Sequence, residues 1–145
     1  MKKILGVLAG AILAVACAPK QDYKAERDEV MKFHDVVMED HGVVVNNQMK
    51  LDSLLKDLKQ LKASKPSLDT AAARKEMEQL KSSLGSAEDR MNDWMHQFEP
   101  DVTGKSNDEA IKYFKEEKVK ITRIDSLYKQ EIKTSGAYLD KLKKS

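Results

Sequence analysis

The chain has 145 residues, 26 basic and 24 acidic side chains, and 41 % hydrophobic residues. That is enough for one domain with a modest core, and near-neutral charge argues against a polyanion-binding protein, which needs excess or clustered positive charge. A single cysteine, Cys17, leaves no internal disulfide to staple the fold, so the core must hold it alone.

Residues 1–16 read as a targeting segment. Lys2 and Lys3 precede an apolar run over residues 4–15 that is shorter than the roughly 20 residues of a membrane-spanning helix. The stretch Leu13-Ala14-Val15-Ala16-Cys17 resembles the lipobox of bacterial lipoproteins. In those proteins the cysteine sulfur takes a diacylglycerol group and becomes the first mature residue. Ala14-Val15-Ala16 also satisfies the ordinary A-x-A rule, so the same bond can be cut without lipidation. The placing of the only cysteine at the cut favours a lipid anchor at Cys17, with palmitate among the acyl chains. Two or three such chains, at about 0.8 kcal/mol per methylene, hold a protein lastingly where one does not. Ala18 departs from the Asp that marks inner-membrane retention in enteric bacteria, which points to the outer membrane.

Loss of Lys2 and Lys3 with the leader leaves 24 basic against 24 acidic residues. Lys and Glu alternate along the rest of the chain, so nucleic acid is not an expected partner. Lys141, Lys143 and Lys144 read as the cationic end of a helix.

Residues 17–21 form a short lipidated tether, and residues 22–145 are expected to fold as an all-α domain of three helices, over about 22–64, 68–99 and 107–143. Asp22 caps the first. Val30, Val37, Val44, Leu51 and Leu58 recur in it at strict sevens, beside a second row of Met31, His34, Met38, His41 and Val45. Two adjacent rows make an arc wide enough for two partner helices. Gly42, followed by three valines, is its weakest point and the place for a kink.

Pro66 ends this helix, and Ser67 or Asp69 caps the next. There Met77, Leu80, Leu84, Ala87, Met91, Trp94 and Phe98 alternate by threes and fours until Pro100. Residues 101–105, with Gly104, make the second turn. Ser106 and Glu109 form a capping box for the third helix, whose inward row is Ala110, Phe114, Ile121, Ile124, Tyr128, Ile132, Leu139 and Leu142. Short connections force antiparallel neighbours, giving a coiled-coil-like up-down-up three-helix bundle.

Folding the first turn at Pro66 sets Leu55 level with Met77, Val45 with Ala87, His41 with Met91, Met38 with Trp94 and His34 with Phe98. Residues 22–32 then overhang the second helix, a span of roughly 16 Å at about 1.5 Å per residue. All three histidines and most methionines and aromatics gather at that end. Thioether and imidazole together suit Cu(I), and Met31, His34, Met38, His41 and Met91 are the candidate ligands. Core packing accounts for the same residues, since methionine fills gaps and a histidine at a helix seam makes a hydrogen bond. His96 falls on the outward side.

Nothing else carries chemistry. Glycines 42, 85, 104 and 136 make no phosphate loop, no Ser, His and acid set has motif context, and the carboxylates are scattered. The reading is therefore non-enzymatic and without a cofactor: a structural or protein-interaction module on a membrane, with soft-metal binding as the alternative. A carrier of lipid needs a cavity between helices. Glu29-Val-Met-Lys-Phe-His-Asp-Val-Val-Met38, with Met91-Asn-Asp-Trp-Met-His-Gln-Phe98, resembles the recurring blocks of small helical lipoproteins of Gram-negative bacteria, often labelled "viral A-type inclusion protein". The resemblance implies a helical fold and an envelope location, and no activity. The terminal Lys144-Ser145 departs from the C-terminal lysine that joins the major enterobacterial murein lipoprotein to peptidoglycan.

Overall fold

The computed structural model describes residues 21–144. The leader, Cys17 and all of the tether except Gln21 lie outside the described residues. Within them the chain is all-helical: α1 Tyr23–Lys56, α2 Leu58–Ser64, α3 Thr70–Gln97 and α4 Asn107–Lys144.

The Asp22 carboxylate accepts the Lys24 amide at 3.1 Å, satisfying one of the free donors of the first turn of α1. The row at sevens is the buried one: Val30, Val37, Val44 and Leu51 are fully buried and Leu58 nearly so. The helix runs through Gly42, which faces open space. The expected single helix over 22–64 is interrupted instead at Asp57 (φ −97°, ψ 21°). Hydrogen bonds bridge the interruption, from the Asp57 amide to Ser53 O at 3.0 Å and from the Leu61 amide to Asp57 O at 2.9 Å. The Asp57 side chain makes no capping hydrogen bond, and α1 runs through Asp28, Asp35, Asp40 and Asp52, so aspartate's weak helix preference does not by itself set the break. At Gly42, Val37 and Val44, buried on either side of it, hold the helix down by packing.

Asp69 caps α3, accepting the Ala71 and Ala72 amides at 3.0 Å each. Pro100 stops it, the chain leaving in extended geometry at Phe98 (φ −73°, ψ 123°). Gly104 sits at φ 89°, which only glycine adopts freely, and lets residues 101–105 turn sharply enough to tuck Val102 into the core. The capping box forms as expected, with the Ser106 amide donating to Glu109 at 2.8 Å and the Glu109 amide to Ser106 Oγ at 3.3 Å.

Pairings between α1 and α4 rise together along both: Tyr23 with Asn107 at 3.1 Å, Glu29 with Lys118 at 3.5 Å, Asn47 with Ser135 at 2.9 Å. Those with α3 run in the opposite sense, His41 meeting Glu88 at 3.6 Å and Asp52 meeting Lys81. The widest interface of α1 is with α4, its distant neighbour in sequence. Residues 22–32 reach past the end of α3, as the levelling of α1 against it implies, and they are not bare. Although α3 ends short of them, α4 begins beside them: Glu26 and Val30 are buried, and Asn107 Nδ2 donates to Gln21 O at 2.9 Å.

The inward row of α4 also differs from expectation. Ile132 is only half-buried, while Glu117, Asp125, Ser135 and Tyr138 are buried. The row keeps its three-and-four spacing but admits polar residues that find partners, as shown next.

Candidate functional site

Three features have chemical content: the Met and His set, a line of buried polar groups, and an apolar groove.

On the first, α1 and α3 bring His34 and Trp94 rings to 6.3 Å and set His41 Nδ1 3.6 Å from Glu88 Oε1. His34 is half-buried, its Nδ1 3.0 Å from Asp35 Oδ1. Met91 is sealed in the core at 2 % exposure, whereas Met38, at 40 %, opens to solvent. Met31 is intermediate and His96 exposed. No three His, Cys, Asp or Glu side chains among the described residues converge as a metal-holding group. Three of the five candidates have a local role: the ring of His34 lies tilted beside Trp94, His41 joins Glu88, and Met91 fills the space between helices.

Beside Trp94 the seam turns polar. Its indole Nε1 donates to Glu117 Oε2 at 2.8 Å, and Lys120 reaches Glu117 Oε1 at 2.6 Å, so the buried carboxylate is both hydrogen-bonded and charge-paired. Burial and the nearby Glu117 charge raise the Tyr113 phenol, whose oxygen accepts the Glu99 amide at 2.8 Å. Asp125 pairs with Lys129 one turn on. Farther along, Asn47 Nδ2 donates to Ser135 Oγ, which itself donates to Glu131 O at 2.7 Å. At the surface, Lys81 hydrogen-bonds Asp52 and holds its carboxyl below the usual range.

Sequence reasoning missed Glu117, Asp125, Ser135 and Asn47. The spacing 114, 117, 121, 124, 128 was a usable signal for Glu117, as 44, 47, 51 was for Asn47.

The groove, of about 600 Å³, lies between α1, α2 and the last turns of α4. Met49, Leu54, Leu61, Leu139 and Leu142 give it an apolar lining. The backbone of α2, turned at Asp57, packs closer to α1 and α3 than to α4, and the groove lies in the wider gap, with Leu61 facing it across from Leu139 and Leu142. Among the described residues no helix is long and apolar enough to cross a membrane.

Set beside known proteins, the chain matches no protein-family model, no curated protein and no solved structure.

Proposed function

We propose that the chain is a non-enzymatic lipoprotein of the bacterial cell envelope, anchored in the outer membrane through acyl chains on Cys17, with α1, α3 and α4 as an up-down-up bundle that offers a helical side to a protein partner. The observation that carries the anchor is the placing of the only cysteine, directly after Ala14-Val15-Ala16 and five residues before the Asp22 cap of α1. The resemblance of residues 29–38 and 91–98 to blocks of small helical lipoproteins supports the same reading. The sense of the helix pairings supports the bundle: Tyr23 to Asn107 and Asn47 to Ser135 in one direction, His41 to Glu88 and Asp52 to Lys81 in the other. Buried apolar residues distributed over all three long helices support a packing role for the interior.

Labelled palmitate given to cells expressing the chain tests the anchor. Label is expected on the wild type and not on Cys17→Ala, which should leave the membrane fraction; an unlabelled or equally retained product overturns the reading. Crosslinking in the envelope followed by mass spectrometry tests the partner, and recovery of none counts against an interaction role.

A further inference from the structure

The groove at the far end of the molecule has a floor, two walls and a charged rim. Leu139 and Leu142, at 5 % and 7 % exposure, form the floor. Leu54 and Leu61, half-buried on α1 and α2, are walls. Met49 stands at the mouth, 67 % exposed, a flexible thioether able to fold over whatever enters. Two of the nine lining residues are lysines, Lys50 and Lys143, and none is acidic. Lys50 makes no ion pair with a described residue. Lys143 meets Asp140 at 3.4 Å, but both side chains are well over half exposed, so solvent screens the pair and it is readily exchanged.

Size decides between kinds of occupant. The volume of about 600 Å³ lies within the 300–1,000 Å³ of small-ligand sites. An α-helix about 10–12 Å across fills that volume with roughly one turn. One turn of contact falls far short of the ~800 Å² per partner of a stable protein interface. A slim, unbranched apolar chain uses the length of the groove instead. The rim selects the charge of its head: two lysines are flexible point charges that attract an anion and repel a cation, and a carboxylate is the smallest anionic head a single acyl chain carries.

We propose that this groove binds one long-chain fatty acid, its acyl chain along Leu54, Leu61, Leu139 and Leu142 and its carboxylate between Lys50 and Lys143. The site is independent of how the chain reaches a membrane. Leu54 lies some 30 residues into α1, about 45 Å from the start of that helix at ~1.5 Å per residue.

The test uses the purified full chain with ¹³C-methyl-labelled methionine and palmitate titrated below its aggregation threshold. Met49 reports from the groove, while Met38 and Met95, exposed on other parts of the surface, serve as internal controls. The expected result is a saturable shift of the Met49 methyl at about one equivalent, with Met38 and Met95 unmoved. Lys50→Glu with Lys143→Glu should weaken palmitate at least tenfold. Leu142→Trp, filling the floor, should abolish the shift. Leu61→Trp does the same from the α2 wall and covers the case in which the α4 variant does not fold. Equal shifts at all three methionines mean surface coating and overturn the proposal. So does a neutral or trimethylammonium amphiphile of the same chain length binding as tightly as palmitate. A Met49 shift that follows protein concentration alone makes the groove a contact between copies of the chain and also overturns it.

Discussion

The two ends of the molecule are built on the same seam and closed in different ways. Where α1 and α4 begin, five rings interlock: Trp94 stacks on Phe98 at 4.8 Å, Tyr113 meets Phe114 edge-on at 5.2 Å, and Tyr23 stacks on Phe114 at 6.1 Å. The 101–105 turn adds Val102 as a lid, and Asn107 ties down the first turn of α1. At the far end α1 has stopped at Lys56, the short α2 packs on α1 and α3, and a groove stays open beside Leu139 and Leu142 of α4. A heptad row dictates which helices pair, but what closes an end depends on which elements arrive there with enough volume to fill it.

That contrast predicts unequal costs for the same kind of truncation. Phe114→Ala, in the aromatic end, should lose about 3–5 kcal/mol of unfolding free energy, because a fully buried ring leaves a void walled by three other rings, Tyr23, Phe98 and Tyr113. Leu142→Ala should lose only about 2 kcal/mol, the low end for a buried leucine, since its space merges with the open groove and creates no closed cavity. Urea unfolding of the two variants measures both. Equal losses would mean that the far end is as tightly filled as the near one.

Between the ends, the Asn47–Ser135 bond gives a smaller and asymmetric effect. Ser135→Ala leaves the Asn47 amide buried without its acceptor and should cost about 1–2 kcal/mol. Asn47→Leu leaves Ser135 still bonded to Glu131 O, so stability should hold or rise. The leucine variant should instead loosen the register of α1 on α4, as a lone buried polar residue fixes register in coiled coils, and amide exchange along both helices should quicken. Unchanged exchange would assign Asn47 to packing alone.

Much of this was legible before the structure. Pro66, Pro100, Asp69 and the Ser106–Glu109 box marked helix ends because each acts through its immediate backbone. The row from Val30 to Leu58 marked the buried face because its spacing is strict. Asp57 was missed because that row continues across it unbroken, so the periodicity carries no trace of the turn. Glu117, Asp125 and Ser135 were missed because polarity was read as exposure, although they occupy the inward spacing and bury themselves with partners from α3, α1 or the next turn of α4. Residues 22–32 do extend past α3, which the levelling at Pro66 made legible, and the pairing of Tyr23 with Asn107 shows α4 lying beside them. The groove depends on the direction α2 takes after Asp57, a tertiary outcome to which no local pattern corresponds. The Met and His set was legible as a neighbourhood, but burial divides it: Met91 lies inside and Met38 outside.

The smallest effect at neutral pH belongs to Tyr128, midway along α4, where the seam is neither ringed by aromatics nor open. It is fully buried, and its hydroxyl has no hydrogen-bond partner among the described groups. Burial, with a lesser contribution from the negative charge of Glu88, pushes the phenol from its ordinary 10.0 up to about 12. The folded state therefore keeps the proton at pH values where the unfolded chain has begun to release it. The stability this group contributes is whole below pH 10 and is lost as the pH climbs from about 10 through about 12. Tyr128→Phe removes an unpaired buried hydroxyl and keeps the ring, so at pH 7 it should change stability by less than about 1 kcal/mol, in the favourable direction. Its advantage should widen above pH 10. It should not flatten the alkaline decline entirely, because burial raises Tyr113 and Tyr138 as well. Urea midpoints at pH 7, 9 and 11 measure this directly. A variant weaker than wild type at pH 7 would show that the hydroxyl is engaged after all, and that this middle stretch is held by polar contacts like those at Glu117 and Ser135 rather than by ring packing alone.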